Sequence, residues 1–114
     1  MSRDEIMYLQ DIVQSCEKVL QFTGGLTLPE LIQDQRTYDA VVRNLEIIGE
    51  AAKHISDNTR RKLPDVEWKK VAGLRDMLAH AYFGIDNDIL WDVIQNRIPQ
   101  LAKVINAFLN EEKR

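Results

Sequence analysis

A single cysteine, Cys16, in 114 residues rules out an intramolecular disulfide, so nothing in the chain points to an oxidising compartment. Histidine is nearly as scarce, with two in all. No cysteine pair, HExxH pattern or glycine-rich phosphate loop of the Walker or dinucleotide type occurs, which excludes the stock zinc and nucleotide sites. The expectation is therefore no resident metal or cofactor. No apolar run approaches the ~20 residues that span a bilayer, and the first ten residues lack a basic segment followed by an apolar one. A soluble cytoplasmic protein without a membrane partner is expected. Positive charge is also short: 15 Lys and Arg stand against 18 Asp and Glu, for a net charge of −3. With a pI near 5.3, the chain is not a basic coat for nucleic acid, since such domains usually show a pI above about 9. Any nucleic-acid chemistry needs positive charge concentrated locally.

Only 5 Gly and 3 Pro interrupt the sequence, and apolar residues recur between them at helical spacing. This predicts an all-α fold, a single domain over residues 1–114 built as an up-and-down bundle of four or five helices. Ser2 and Glu5 fit a capping box for a first helix to about Phe22, with stripe Ile6, Leu9, Val13, Cys16 and Leu20. On that stripe Cys16 reads as a small buried hydrophobe rather than a nucleophile. Thr27 with Glu30 opens a short connector helix to about Gln33. A long helix follows from Asp34 to Ser56, its apolar residues Tyr38, Val41, Leu45, Ile48, Ala52 and Ile55 opposed by Asp39, Arg43, Glu46, Glu50 and Lys53. Gly49 falls in the middle of the apolar arc. A glycine there costs about 1 kcal/mol against alanine, so its use is close approach by another helix. Pro64 is expected in the first turn of a helix carrying Trp68, Val71, Leu74, Leu78 and Tyr82 to near Gly84. Asp86 or Asp88 caps a last helix, which Pro99 should kink or divide.

The chemistry concentrates between Arg75 and Tyr82. Arg75 shares a helix face with Trp68, Val71 and Ala72 and cannot shed its charge, so it must reach water, a carboxylate or an anionic ligand. A structural ion pair with Glu46 or Glu50 is one outcome. His80 lies five residues on, about 140° round the helix, so the two do not stack as an (i, i+4) pair. Asp76 is placed to accept one imidazole N–H and orient the ring. An imidazole that moves a proton and a guanidinium that grips a phosphate suit phosphodiester cleavage without a metal. With a 2′-hydroxyl as internal nucleophile the substrate is RNA, and the products are a 2′,3′-cyclic phosphate or its 3′-phosphate and a 5′-hydroxyl.

Arg75 to Tyr82 reads R-x4-H-x-Y, and together with Asn44-Leu45-Glu46-Ile47-Ile48-Gly49-Glu50-Ala51-Ala52 it resembles the HepT-like family of the HEPN superfamily. The resemblance spans essentially the whole chain, in length, helix order and both motifs. It implies a HEPN-like bundle that forms a two-fold homodimer, whose shared cleft is a metal-independent endoribonuclease. Carried over, Arg75 is the phosphate-binding residue, His80 the general acid/base, and Tyr82 the third motif member. Asn44, Glu50 and Asp76 are candidate supports around the cleft. Family members act as toxins of a type VII-like toxin–antitoxin pair. The partner is a minimal nucleotidyltransferase antitoxin, which can transfer AMP to the motif tyrosine, here Tyr82, and can join the toxin in a larger hetero-oligomer. The alternative is a non-catalytic module that binds nucleotide or the nucleotidyltransferase and cuts no RNA.

Overall fold

The computed structural model describes residues 1–79 and 84–112, and His80 and Tyr82 lie outside the described residues. Among the described residues seven α-helices succeed one another: α1 (Arg3–Thr23), α2 (Leu28–Gln33), α3 (Gln35–Lys53), α4 (Asp57–Lys62), α5 (Trp68–Ala79), α6 (Asn87–Asp92) and α7 (Ile98–Glu112). A π turn, Val93–Arg97, joins the last two. No strand occurs among the described residues, and none of their helices is long and apolar enough to cross a membrane.

The helix starts follow their caps. Ser2 accepts the Glu5 N–H at 3.1 Å, and Thr27 with Glu30 completes a reciprocal capping box at α2. At α1 the box is only half made. The Glu5 carboxylate turns away from Ser2 and accepts the Ser56 backbone N–H at 2.6 Å and the Thr59 hydroxyl at 3.1 Å. These bonds hold its pKa below the ordinary carboxylate value, the Ser56 N–H being the main cause.

Two boundaries correct the sequence expectation. The long helix stops at Lys53 rather than Ser56, and Ser56 instead N-caps α4, which periodicity did not reveal. With the sequence Asp-Asn-Thr-Arg-Arg-Lys, α4 buries only Thr59, so it has no stripe to read. Pro64 lies in the turn before α5, which begins only at Trp68. Arg60 of α4 donates to the Ala52 carbonyl at 2.8 Å and lies over the Trp68 ring at 5.7 Å, tying the end of α3 to the start of α5. As expected from Pro99, the last helix is divided: α6 ends at Asp92, a π turn follows, and Pro99 sits in the first turn of α7. Ile98 N–H bonds the Val93 carbonyl five residues back, and this widened turn makes room for a ring that would otherwise strike a carbonyl one turn before it.

The core is built by α1, α3 and the α6–α7 segment. Leu9, Ile12, Cys16, Val19, Val41, Leu45, Ile48, Leu90 and Ile105 are completely buried, each large aliphatic side chain contributing about 1.5–3 kcal/mol. Burial pushes the Cys16 thiol up to about 12, so it is packing material. Helix α3 packs against both α1 and α5, and its two exposed flanks frame the site.

Candidate functional site

Gly49 is where the two sequence motifs meet. A Cβ added there would lie 2.6 Å from the Arg75 backbone nitrogen, 3.0 Å from Arg75 Cβ and 3.2 Å from its Cα. The backbone of α5 therefore sits directly on α3 at Arg75, a contact only glycine permits without displacement. One residue further along α3, Glu50 Oε2 receives Arg75 Nε at 2.7 Å. Of the two acids expected as partners, Glu50 takes the guanidinium, while Glu46 pairs with Arg43 at 3.7 Å. Asp76, next along α5, takes Lys53 Nζ at 3.1 Å and faces the guanidinium Nη1 at 3.5 Å.

Arg75 and Glu50 keep 46% and 51% of their side-chain surface. An ion pair this exposed contributes about 0–1 kcal/mol, too little to explain a glycine kept at helix-forming cost. Its effect is orientation. Glu50 and Asp76 fix one edge of the guanidinium, and the exposed remainder of the fork is available to an anion.

Glu50 continues the chain of contacts. Its other oxygen, Oε1, faces His54 Nε2 at 3.7 Å, and the His54 ring stacks on Tyr8 of α1 with centroids 4.5 Å apart and planes 10° from parallel. Tyr8, Asp11, Arg43, Glu46, Ile47, Glu50, Ala51, His54 and Arg75 thus line one cleft of about 380 Å³. The polar arc of α3 forms its floor, α1 one wall and Arg75 the opposite lip. A second hollow of about 360 Å³ lies on the far side of α5, lined largely by apolar side chains including Val71, Leu74, Met77, Ile89, Leu101 and Val104.

Among the expected site residues, Arg75, Glu50 and Asp76 form one network. Asn44 does not line the cleft: it is buried, with Nδ2 donating to the Ala40 carbonyl at 2.8 Å. His80 and Tyr82 lie outside the described residues. Sequence reasoning passed over Tyr8 and His54. The available signal was Glu50 four residues before His54, a spacing that puts both on one helix face. No three His, Cys, Asp or Glu side chains converge as metal ligands among the described residues.

The chain is similar in sequence to known proteins. The family model described as "Ribonuclease HepT-like" matches residues 12–108. A Thermococcus cleftensis protein named as a probable ribonuclease HepT is 41% identical over 101 residues, covering 89% of this chain and 92% of its own length. A candidate RNase of Methanocaldococcus jannaschii is 38% identical over 109 residues, covering 96% of this chain and 90% of its own. A candidate RNase of Caldanaerobacter subterraneus is 41% identical over 106 residues, covering 93% and 95%. No solved structure matches the chain. The matched residues include both motifs and the Gly49–Arg75 junction, and the chain belongs to the ribonuclease HepT-like family.

Proposed function

We propose that this endoribonuclease cuts RNA without a metal, Arg75 gripping the scissile phosphate and His80 moving the proton, in a cleft completed by a second copy of the chain. The observation that carries the reading is the seating of Arg75: its backbone rests on Gly49 and its Nε on Glu50, which leaves the exposed part of the fork able to meet a phosphate with little further ordering. A preset guanidinium stabilises charge developing on the phosphoryl oxygens at little reorganisation cost. The 2′-hydroxyl gives its proton to one His80 imidazole and bonds to the adjacent phosphorus, the P–O5′ bond breaks as the 5′-oxygen takes a proton from the second, protonated His80, and a 2′,3′-cyclic phosphate remains. His80 supplies the proton transfer. A two-fold axis would bring a second Arg75 and His80 into one cleft, concentrating positive charge that the acidic chain lacks as a whole.

In its biological setting we place the protein as the toxin of a type VII-like toxin–antitoxin pair in the cytoplasm. A minimal nucleotidyltransferase partner would silence it by moving AMP to the Tyr82 hydroxyl. Intact-mass spectrometry after co-expression with that transferase tests the modification: one AMP adduct lost in Tyr82→Phe is expected, and no adduct with an active transferase contradicts it. The ribonuclease assignment is tested with purified His80→Ala protein. Loss of RNA cleavage with an unchanged melting temperature is expected, and products of the wild type should end in a cyclic phosphate and a 5′-hydroxyl. Persistent cleavage by His80→Ala protein free of contaminating nuclease overturns it.

A further inference from the structure

We propose that the Tyr8–His54 stack is a nucleobase subsite, on which the base next to the phosphate held by Arg75 lies against the imidazole. The proposal rests on the assignment of Arg75 to that phosphate, and extends it from the reacting group to the recognition of a neighbouring nucleotide.

Three features of the cleft support it. First, the aromatic surface is already built. Tyr8 is half-buried and backs the imidazole at a centroid distance of 4.5 Å, while 48% of the His54 side chain stays exposed in the cleft. His54 is also the C-cap of α3, so its backbone is fixed, and its Nε2 edge is turned to Glu50. A ring ordered in advance loses little freedom when a base is added to the stack. Second, ring and guanidinium flank one carboxylate, Glu50 meeting Arg75 with Oε2 at 2.7 Å and His54 with Oε1 at 3.7 Å. Base and phosphate of one nucleotide have to be bound at just such neighbouring places.

Third, the rest of the lining suits a base better than further backbone. Ile47 and Ala51 give apolar contact, and Asp11, Glu46 and Glu50 outnumber Arg43 and Arg75. Carboxylates repel additional phosphates but accept the N–H groups of a base edge. A cleft of about 380 Å³ falls within the range of small-ligand sites, roughly 300–1,000 Å³. Stacking tolerates any base, whereas the acceptors favour bases with exocyclic amino groups over uracil.

The test compares cleavage of a mixed-sequence RNA by wild type, His54→Ala, His54→Phe and Tyr8→Ala, reading KM, kcat and the distribution of cut sites. The expectation is a KM raised at least about fivefold by His54→Ala with a smaller change in kcat. The cut sites should also be redistributed, and most of the affinity regained in His54→Phe, which keeps a stacking face without a titrating group. Unchanged KM and cut sites in His54→Ala overturn the proposal. So does failure of His54→Phe to recover together with loss of one limb of the pH–rate profile, which would assign His54 to proton transfer. A second readout is independent of cleavage. In NMR titrations of the wild-type protein with cytidine 3′-monophosphate, which has no phosphodiester to cut, the ring signals of Tyr8 and His54 should move. Signals that stay in place overturn the subsite even where wild type cuts RNA. A wild type that cuts no RNA overturns the ribonuclease assignment, while moving signals still support the subsite.

Discussion

Helix α5 faces two different environments. Toward α3 it is fixed by contacts that leave no slack: a backbone approach at Gly49, the Arg75–Glu50 pair at 2.7 Å and the Lys53–Asp76 pair at 3.1 Å. Toward α6 and α7 it borders an apolar hollow where Met77 and Ile89 keep 38% and 49% of their surface exposed. The side that carries charge is thus held more exactly in place than the side that carries hydrocarbon. Burial sets a helix down on a core with tolerance of a methyl group here or there. Directing a guanidinium demands a fixed backbone, since a misplacement of about 1 Å can cost roughly a hundredfold in rate.

Forcing α5 off α3 is the severest way to break this contrast. Gly49→Val puts a carbon bearing two methyl groups where Arg75 stands, and we expect about 1–3 kcal/mol of lost stability with about a hundredfold loss of RNA cleavage. Thermal melts and single-turnover cleavage measure the two effects separately. Glu50→Gln keeps the shape and removes the charge. Cleavage should fall up to about fivefold, the effect of losing an exposed contact worth about 0–1 kcal/mol, while the melting temperature barely moves because the pair is exposed.

The Glu5 brace sharpens the contrast through pH. Its carboxyl is held below the ordinary value by the Ser56 N–H, so the stabilisation is present above the unfolded value of about 4.3 and disappears as pH falls through the lower folded value. Glu5→Gln should cost about 1 kcal/mol at pH 7, and chemical denaturation curves of variant and wild type should converge toward pH 2. On the apolar side, Ile89→Ala should cost less than about 1 kcal/mol, because nearly half of Ile89 is already exposed. Its RNA cleavage should match wild type. A large loss there would show that the hollow serves the active assembly.

Legibility in the sequence followed the same division. Where a helix buries a stripe, as α1, α3 and α7 do, spacing alone located it, and Gly49 was readable as a point of close approach because glycine in an apolar arc has few other uses. Helix α4 was invisible because it buries only Thr59, and the turn around Pro64 was misread because proline suits a first helical turn and a turn before it equally well. The proline at 99 was correctly seen as incompatible with a regular helix, but the π turn that accommodates it depends on packing. At the site, Arg75 stood out as a charge on an apolar face, Glu50 as a candidate partner on the polar arc of the neighbouring helix, and Asp76 by its spacing from His80. Tyr8 and His54 did not, since they come from helix positions 46 residues apart and meet only when α1 lies along α3. Asn44 looked polar enough for a cleft and proved to satisfy its own helix.

We propose that Arg75, seated on Gly49 and braced by Glu50, is the phosphate grip. Single-turnover cleavage of RNA by purified Arg75→Ala protein tests it most directly, alongside a thermal melt of the same sample. The rate should lie at least about a hundredfold below wild type, with a melting temperature essentially unchanged. Cleavage at the wild-type rate by correctly folded Arg75→Ala protein would contradict it.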